Sequence, residues 1–455
     1  MINTKLISKI LGALLNIEAA FMAVCLVVSL CYREDDMGPL AATLGVTVVV
    51  ALSLRLLGRG ASNSLSRRDA YLLVSLVWIA FAALGSLPFL FGGYIPHVAD
   101  AFFETMSGLT TTGATTIDHV EGMPHGVLLW RSLTQWIGGL GIVFFTIAIL
   151  PSFVGGSIKI FAAEATGPVQ SKLQPRLTMS AKALWGVYIL LTAVCALCFF
   201  LFGMDGFDAV NYAMTITATG GFATHDASTG YFNNAAIDYT AIVFMFVSGV
   251  SFAMLYAAMF KGRVKHLFKN AEFRFYSLLT LVSTVIIAVF LLRYNDYSVS
   301  DAIRYSLFQV VSFLTTTGMF NEDAAQWHHI TWVVLCVCMF FGGCAGSTAG
   351  GFKCARGVIA LKSAVNIGAN TTIMGQTAPA PGITLRYYTV NPNGNNIVIR
   401  FIRFRRGQEK DVNDGADAST ARHFTNLLLD HCSLSWSIDE VASFYDNNNF
   451  TMQWC

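Results

Sequence analysis

The sequence predicts an all-α polytopic membrane protein with re-entrant helices, followed by a small β-solenoid-like carboxyl-terminal segment. Three observations carry that expectation. Hydrophobic residues make up 55% of the 455 positions and charged residues 12%, with a mean hydropathy of +0.57, too apolar for a water-soluble globule of this length. Apolar runs long enough to cross a bilayer recur through the first 365 residues, and short Thr-rich clusters ending in Gly recur between them. Beyond about residue 365 the composition turns polar and apolar residues alternate at short range.

A bilayer core requires about 20 apolar residues as helix. Qualifying runs lie near 10–31, 40–57, 70–92, 126–150, 183–203, 238–260, 275–293 and 330–343. The first is too long for a signal-peptide core and lacks a small-residue cleavage site, so it is expected to remain as a helix. Loop charge alternates strictly. Lys5, Lys9, Arg55, Arg59, Arg67, Arg68, Lys159, Lys172, Arg176, Lys182, Lys261, Arg263, Lys265, Lys269 and Arg274 gather on one side. Glu34, Asp35, Asp36, Asp118, Glu121, Asp226, Asp238, Glu322 and Asp323 gather on the other. Basic loops stay in the cytoplasm, which places the amino terminus inside and the Thr-Gly tips outside. A net charge of +2 gives no footprint for nucleic acid. Cys25, Cys195, Cys198, Cys336 and Cys338 sit in apolar runs and read as packing residues.

Between paired runs lie segments too short to cross. Residues 301–314 would form a helix of roughly 20 Å, well under the hydrocarbon thickness. Each such segment opens with Asp-Ala, at Asp100, Asp208 and Asp301, read mainly as helix caps. Each ends in a polar tip: Thr110-Thr111-Thr112-Gly113, Thr217-Ala218-Thr219-Gly220 and Thr315-Thr316-Thr317-Gly318. One tip alone reads as a turn between helices. Three in equivalent places form an internal repeat and point to an ion path. Backbone carbonyls replace the water that a cation sheds, glycine permits the backbone angles involved, and helix carboxyl ends supply partial negative charge.

Repeated membrane–pore–membrane units with one glycine per tip resemble the Trk/Ktr/HKT superfamily of potassium transporters, and the two extra leading spans resemble its bacterial Trk branch. The resemblance covers about residues 1–365. It implies two leading helices (1–69), pore repeats at 70–160, 161–265 and 266–365, and a potassium filter contributed by Thr111, Thr112, Gly113, Thr217, Ala218, Thr219, Gly220, Thr316, Thr317 and Gly318. It implies potassium bound at Thr112, Gly113, Thr219, Gly220, Thr317 and Gly318. It further implies potassium uptake across the cytoplasmic (inner) membrane by a homodimer under cytoplasmic nucleotide-binding regulatory subunits, with no enzymatic activity. The superfamily builds its pore from four repeats; three are visible here.

The eighth run enters a glycine-dense segment: Gly342, Gly343, Gly346, Ser347, Thr348, Gly350, Gly351 and Lys353. Each interior glycine costs a helix about 1 kcal/mol against alanine, so the helix is expected to break at mid-membrane. The segment resembles the superfamily's intramembrane gate loop, with Lys353 placing positive charge in the ion path. Small-residue helix packing is the competing reading. Glu18 falls inside the first run, read as a contact between helices ahead of an ion-coupling role. Glu104 has two readings, an outer negative field or a bond to a neighbouring helix. Arg131 and Gln135 read as interfacial anchors, and Trp130, Trp136, Trp327 and Trp332 as an aromatic belt.

From residue 366 onward, alternating stretches at 397–404, 424–432 and 450–455 with polar turns between them suit about three coils of a parallel β-solenoid. The wording Asp430-His431-Cys432-Ser433-Leu434-Ser435-Trp436 resembles a pectate-lyase-type β-helix, whose calcium-binding acids would correspond to Asp417, Asp439 and Glu440. That resemblance gives the rival readings of a membrane-tethered calcium-dependent polysaccharide lyase or a nonfunctional fusion fragment.

Overall fold

The computed structural model describes residues 2–62, 66–139, 141, 177–353, 359–360, 365–374, 383–386, 388–405, 417–435 and 441–455. The chain divides into two compact units, Met1–Lys353 and Cys354–Cys455, so the boundary falls earlier than the expected 365/366. Lys159, Lys172, Arg176 and the later part of the 126–150 run lie outside the described residues.

The first unit is helical. Helix Thr4–Tyr32 is capped by the Asn3 side chain, which accepts from the Leu6 amide, and ends at Arg33 in the left-handed region. It packs closely on Met37–Leu57 because Gly12 lies against the Ala51 carbonyl and Gly58 against the Lys9 backbone. Three hairpins follow. The first comprises Arg67–Gly85 with Leu87–Phe91, a short helix Val98–Leu109, and His125–Gly139. The second comprises Leu177–Leu201, the short Gly206–Thr217, and Ala235–Ser248 with Phe252–Phe260; the third comprises Ala271–Tyr294, the short Val299–Leu314, and His329–Phe341. Among the described residues, five helices are long and apolar enough to cross a membrane, or six if the bent pair counts as one span.

Burial explains the arrangement. Phe199, Tyr212, Ile216, Met245, Phe308 and Val311 form a core in which the second and third short helices meet. Met22, Leu40, Phe89, Trp130 and Leu133 join the leading pair to the first repeat. Val49, Leu57, Phe200, Leu201, Val285 and Val289 are exposed, apolar side chains suited to lipid rather than water. The three short helices, called pore helices below after the expectation above, have 12, 12 and 16 residues. Their amino ends differ from expectation. Asp205 and Ser298 are the side-chain caps, accepting from the amides of Asp208 and Asp301. Asp100, Asp208 and Asp301 sit within the first turn instead, where their charge complements the helix dipole.

The expected sixth span is broken: its halves are bent by 103°. Gly249 stands at the break, where a Cβ would collide with the Tyr276 hydroxyl and lie 2.9 Å from Thr315 Cγ2. The aromatic-belt expectation fails for Trp130 and Trp327, which are buried. Trp130 donates to the Gly85 carbonyl at 2.8 Å, and Trp136 donates to Thr192 and stacks on Tyr188. Trp332 is exposed.

The second unit is a parallel β-helix. Among the described residues, twelve strands, β1 (Ile359–Ala360), β2 (Val365–Ile367), β3 (Thr372–Met374), β4 (Ile383–Arg386), β5 (Val390–Pro392), β6 (Ile397–Arg400), β7 (Ile402–Arg405), β8 (Ser419–Arg422), β9 (Thr425–Asp430), β10 (Ser433–Ser435), β11 (Ala442–Tyr445) and β12 (Asn448–Gln453), form three parallel sheets in which every third strand pairs: β1-β4-β7-β10, β2-β5-β8-β11 and β3-β6-β9-β12. Four coils result, one more than the alternation suggested. Ile399 aligns with Leu429 and Leu427 with Phe450, so like side chains stack into a core with Ile397, Phe404 and Phe424. One corner is tied by Asn370, Asn396, Asn426 and Asn449, each with left-handed backbone. Their side-chain amides bond in series at 2.7–2.9 Å.

Candidate functional site

The three tips share one backbone pattern. Thr110, Ala218 and Thr315 close the pore helices. The next residues, Thr111, Thr219 and Thr316, are left-handed with φ of 54°, 53° and 56°. Thr112, Gly220 and Thr317 then donate their amides to the carbonyls of Ser107, Thr215 and Ser312 at 2.8–2.9 Å. Left-handed glycines follow: Gly113, Gly221 and Gly318, with φ of 77°, 82° and 82°.

This corrects the register of the second tip. Gly220, aligned by wording with Gly113 and Gly318, occupies the place of Thr112 and Thr317, and Gly221 takes the glycine position. Thr217 accordingly belongs to the pore helix and Ala218 to its end. The tips lie side by side. A Cβ on Gly113 would collide with the Gly220 carbonyl oxygen, and one on Gly221 with the carbonyl oxygen of Thr317. A Cβ on Gly318 would meet nothing within 4 Å. Glycine is therefore required at 113 and 221 by close approach as well as by φ.

Behind the tips lies a polar frame that the sequence did not disclose. Ser107 and Ser312 donate to the carbonyls of Ala114 and Met319 at 2.5 and 2.6 Å, each within its own repeat. Arg131 is not an interfacial anchor: it is buried and paired with buried Glu104 at 2.9 Å. Its guanidinium also donates to the Ala223 carbonyl at 3.2 Å and to Thr115 at 3.3 Å, and covers the Phe222 ring at 4.2 Å. Glu104 accepts from the Thr116 amide at 2.9 Å, which settles its two readings in favour of a bond to its neighbours. Gln135 is likewise fully buried. A lone Glu, a lone Arg and a lone Gln in apolar helices carry the signal, since intramembrane polar side chains are seldom placed without partners.

The glycine-dense segment leaves helix at Gly342 (φ 67°) and turns back under the tips, with Gly346, Gly351 and Lys353 also left-handed. It is pinned to the broken second repeat: Cys344 donates to the Gly249 carbonyl at 2.8 Å and Phe252 to the Gly346 carbonyl at 2.9 Å. Gly343 packs on the same Gly249 carbonyl. Ser347 closes on the Cys344 carbonyl at 2.7 Å. Thr348 donates to the carbonyls of Thr217 and Ser248 at 3.1 and 3.2 Å, and the Gly350 amide donates to Thr316 Oγ1 at 2.6 Å. Gly342 and Gly351 cross so closely that a side chain on either would strike the other's backbone. The buried Lys353 ammonium bonds the Ala349 carbonyl. The loop thus touches the third tip directly and the end of the helix that carries the second.

Outside the helices, loops of the first two repeats interlock. Asp226 accepts from the Val120 amide at 2.7 Å and pairs with His119 at 3.0 Å. The amide bond lowers the Asp226 pKa, and Asp226 raises that of His119. Glu18 is buried against Gly85, and neither of its oxygens has a hydrogen-bond partner among the described residues. In the β-helix, the Asp417 carbonyl accepts from Thr389 at 2.7 Å, while Asp439 and Glu440 lie outside the described residues. Among the described residues no cluster of three His, Cys, Asp or Glu side chains could hold a metal ion.

Comparison with known proteins agrees with this geometry. The TrkH family, described as cation transport protein, matches residues 41–369. The Trk system potassium uptake protein TrkH of Halomonas elongata is 38% identical over 362 residues, 79% of this chain and 75% of that one. Its counterpart in Escherichia coli strain K12 is 36% identical over 360 residues, 78% and 74% of the two chains. The crystal structure of the potassium transporter TrkH from Vibrio parahaemolyticus superposes with a TM-score of 0.69 at 37% identity, over 77% of this chain and 73% of that one. With repeated hairpins, re-entrant helices and this sequence match together, the chain belongs to the TrkH family and is a multi-pass membrane protein.

Proposed function

We propose that this protein takes up potassium across the cytoplasmic membrane through a filter formed by its three Thr-Gly tips, gated by the loop 342–353. One observation carries the reading: each tip repeats the same left-handed Thr, intervening residue, left-handed Gly backbone at the end of a buried pore helix, and neighbouring tips touch. Backbone that alternates in hand turns successive carbonyls to a common side, where they replace the hydration shell of a bare cation. Pore-helix carboxyl ends add partial negative charge. Thr111, Thr112, Gly113, Thr219, Gly220, Thr316, Thr317 and Gly318 then line the ion path together with Gly221. No covalent chemistry is involved.

The relatives' names as potassium uptake proteins support the choice of ion. The exposed basic run Lys261, Arg263, Lys265 and Lys269 supports a cytoplasmic placement for that turn and an amino terminus inside. Family resemblance supports a homodimer served by cytoplasmic nucleotide-binding subunits. The test is growth of a potassium-uptake-deficient bacterium at low external potassium, with rubidium tracer uptake. Growth and uptake that exceed the empty-vector level are expected; protein abundant in the membrane without either would refute the proposal.

A further inference from the structure

The first and third tips are held by a serine of their own pore helix, and the second is not. Thr215 stands where Ser107 and Ser312 stand, but its hydroxyl bonds the carbonyls of Asn211 and Tyr212 within its own helix. The tip it should support is held from another repeat. Gln135, on His125–Gly139 of the first repeat, donates its amide to the Gly220 carbonyl at 2.8 Å and accepts from the Phe222 amide at 3.0 Å. It brackets Gly221 from both sides. The side chain is fully buried, and Gly220 packs so tightly on it that a Cβ there would collide with the amide carbon.

We infer that Gln135 is a positioning residue for ion selectivity, setting where the Gly220 carbonyl and the Gly221 backbone stand relative to the neighbouring Gly113 tip. The reasoning rests on the filter reading above and deepens it. A carboxamide donates and accepts at once without charge, and both capacities are used here. Because Gly220 abuts Gly113, a shift of its carbonyl alters the spacing between two tips, not one. Selectivity among cations depends on the placement and field of such oxygens. The Arg131–Glu104 pair braces the same segment at Ala223 and Phe222, so loss of Gln135 frees the backbone locally without releasing the whole tip.

The experiment uses the full chain in detergent and reads the rise in Tm on titration with potassium chloride and with sodium chloride at constant ionic strength. Wild type is compared with Gln135→Met, which keeps length and removes both bonds, and Gln135→Glu, which keeps the acceptor and removes the donor. Wild type is expected to be stabilised at lower potassium than sodium concentration. Losing a buried hydrogen bond of typical net worth corresponds to about fivefold in an equilibrium, so the potassium-over-sodium preference should fall about fivefold or more in Gln135→Met, and also in Gln135→Glu, whose carboxylate cannot donate to the Gly220 carbonyl. A folded Gln135→Met protein with the wild-type preference overturns the assignment of Gln135 while leaving the filter intact. A wild type with no potassium preference overturns the filter reading itself, and this inference with it. Should Gln135→Met not fold, an undiminished preference in Gln135→Glu is the refuting result.

Discussion

Removing Glu104 alone should damage the protein more than removing Glu104 and Arg131 together would suggest. The two side chains are 0% and 3% exposed and sit 2.9 Å apart. Breaking a buried pair from one side leaves an uncompensated charge, at a cost of about 3–5 kcal/mol. In Glu104→Leu the stranded guanidinium keeps its bonds to Ala223 and Thr115, which moderates the loss, while the Thr116 amide loses its acceptor, which adds to it. In Glu104→Leu, Arg131→Met no charge remains; the residual cost is the two bonds to Ala223 and Thr115 and the lost acceptor of the Thr116 amide, about 1 kcal/mol each. The expected order is therefore single variants worst, double variant intermediate, with coupling of about 2 kcal/mol or more. For a unit this large, about 2 °C of Tm accompanies each kcal/mol, so Glu104→Leu should fall roughly 6–10 °C in a detergent thermal melt. A single variant melting with wild type, or a double variant losing the sum of both singles, would refute the view that this pair carries the frame behind the tips.

Three further outcomes follow from the same geometry. If the loop 342–353 gates the path as proposed, Thr348→Val removes the hydroxyl that ties it to the Thr217 and Ser248 carbonyls, so rubidium uptake without regulatory subunits should rise several-fold, about the effect of one hydrogen bond; unchanged basal uptake at equal abundance would refute the tie. Gly221→Ala should abolish potassium stabilisation and Gly318→Ala only weaken it, because both incur left-handed strain of about 1–2 kcal/mol but only the first collides with a carbonyl. Equal effects would refute the asymmetry. The His119–Asp226 contact should help hold the loops together only in the window between the lowered Asp226 pKa and the raised His119 pKa. Stability from the histidine is fully present below its ordinary value near 6.5 and is lost as pH rises through the raised one; that from the aspartate is lost as pH falls through the lowered one. His119→Gln should flatten the alkaline limb of Tm against pH, and an unaltered limb would rule the contact out.

The architecture was legible because membrane solvation acts on long stretches. Twenty apolar residues in a row, basic turns on one side and three near-identical tips are properties that survive without knowledge of any contact. The β-helix was legible for a related reason: stacking demands that Ile399, Leu429 and their neighbours alternate with polar residues in every coil. What stayed hidden depends on single contacts. Ser248-Gly249-Val250-Ser251 permits a kink but does not fix a bend of 103°, which packs Gly249 against Tyr276 and Thr315 of the next repeat. Arg131 and Gln135 look like residues at a membrane boundary until the pore helix they face is placed beside them.

The second tip shows the limit most sharply. Its sequence, Thr217-Ala218-Thr219-Gly220-Gly221-Phe222, fits the Thr-x-Thr-Gly wording at one register and the backbone requirement at another. Wording favours Gly220; geometry favours Gly221, because the left-handed threonine two places before the glycine must be Thr219, matching Thr111 and Thr316. Two adjacent glycines make the slip invisible, since either residue could adopt the needed φ. The slip has a physical consequence. At the position where the other tips carry Thr112 and Thr317, the second carries a glycine with no side chain to fill the space behind it. Gln135 occupies that space from the first repeat, and Thr215, relieved of supporting the tip, bonds back into its own helix. A threonine at 220 would need the very volume that the Gln135 carboxamide fills, so the glycine pair and the buried glutamine are one structural feature written in two distant parts of the chain.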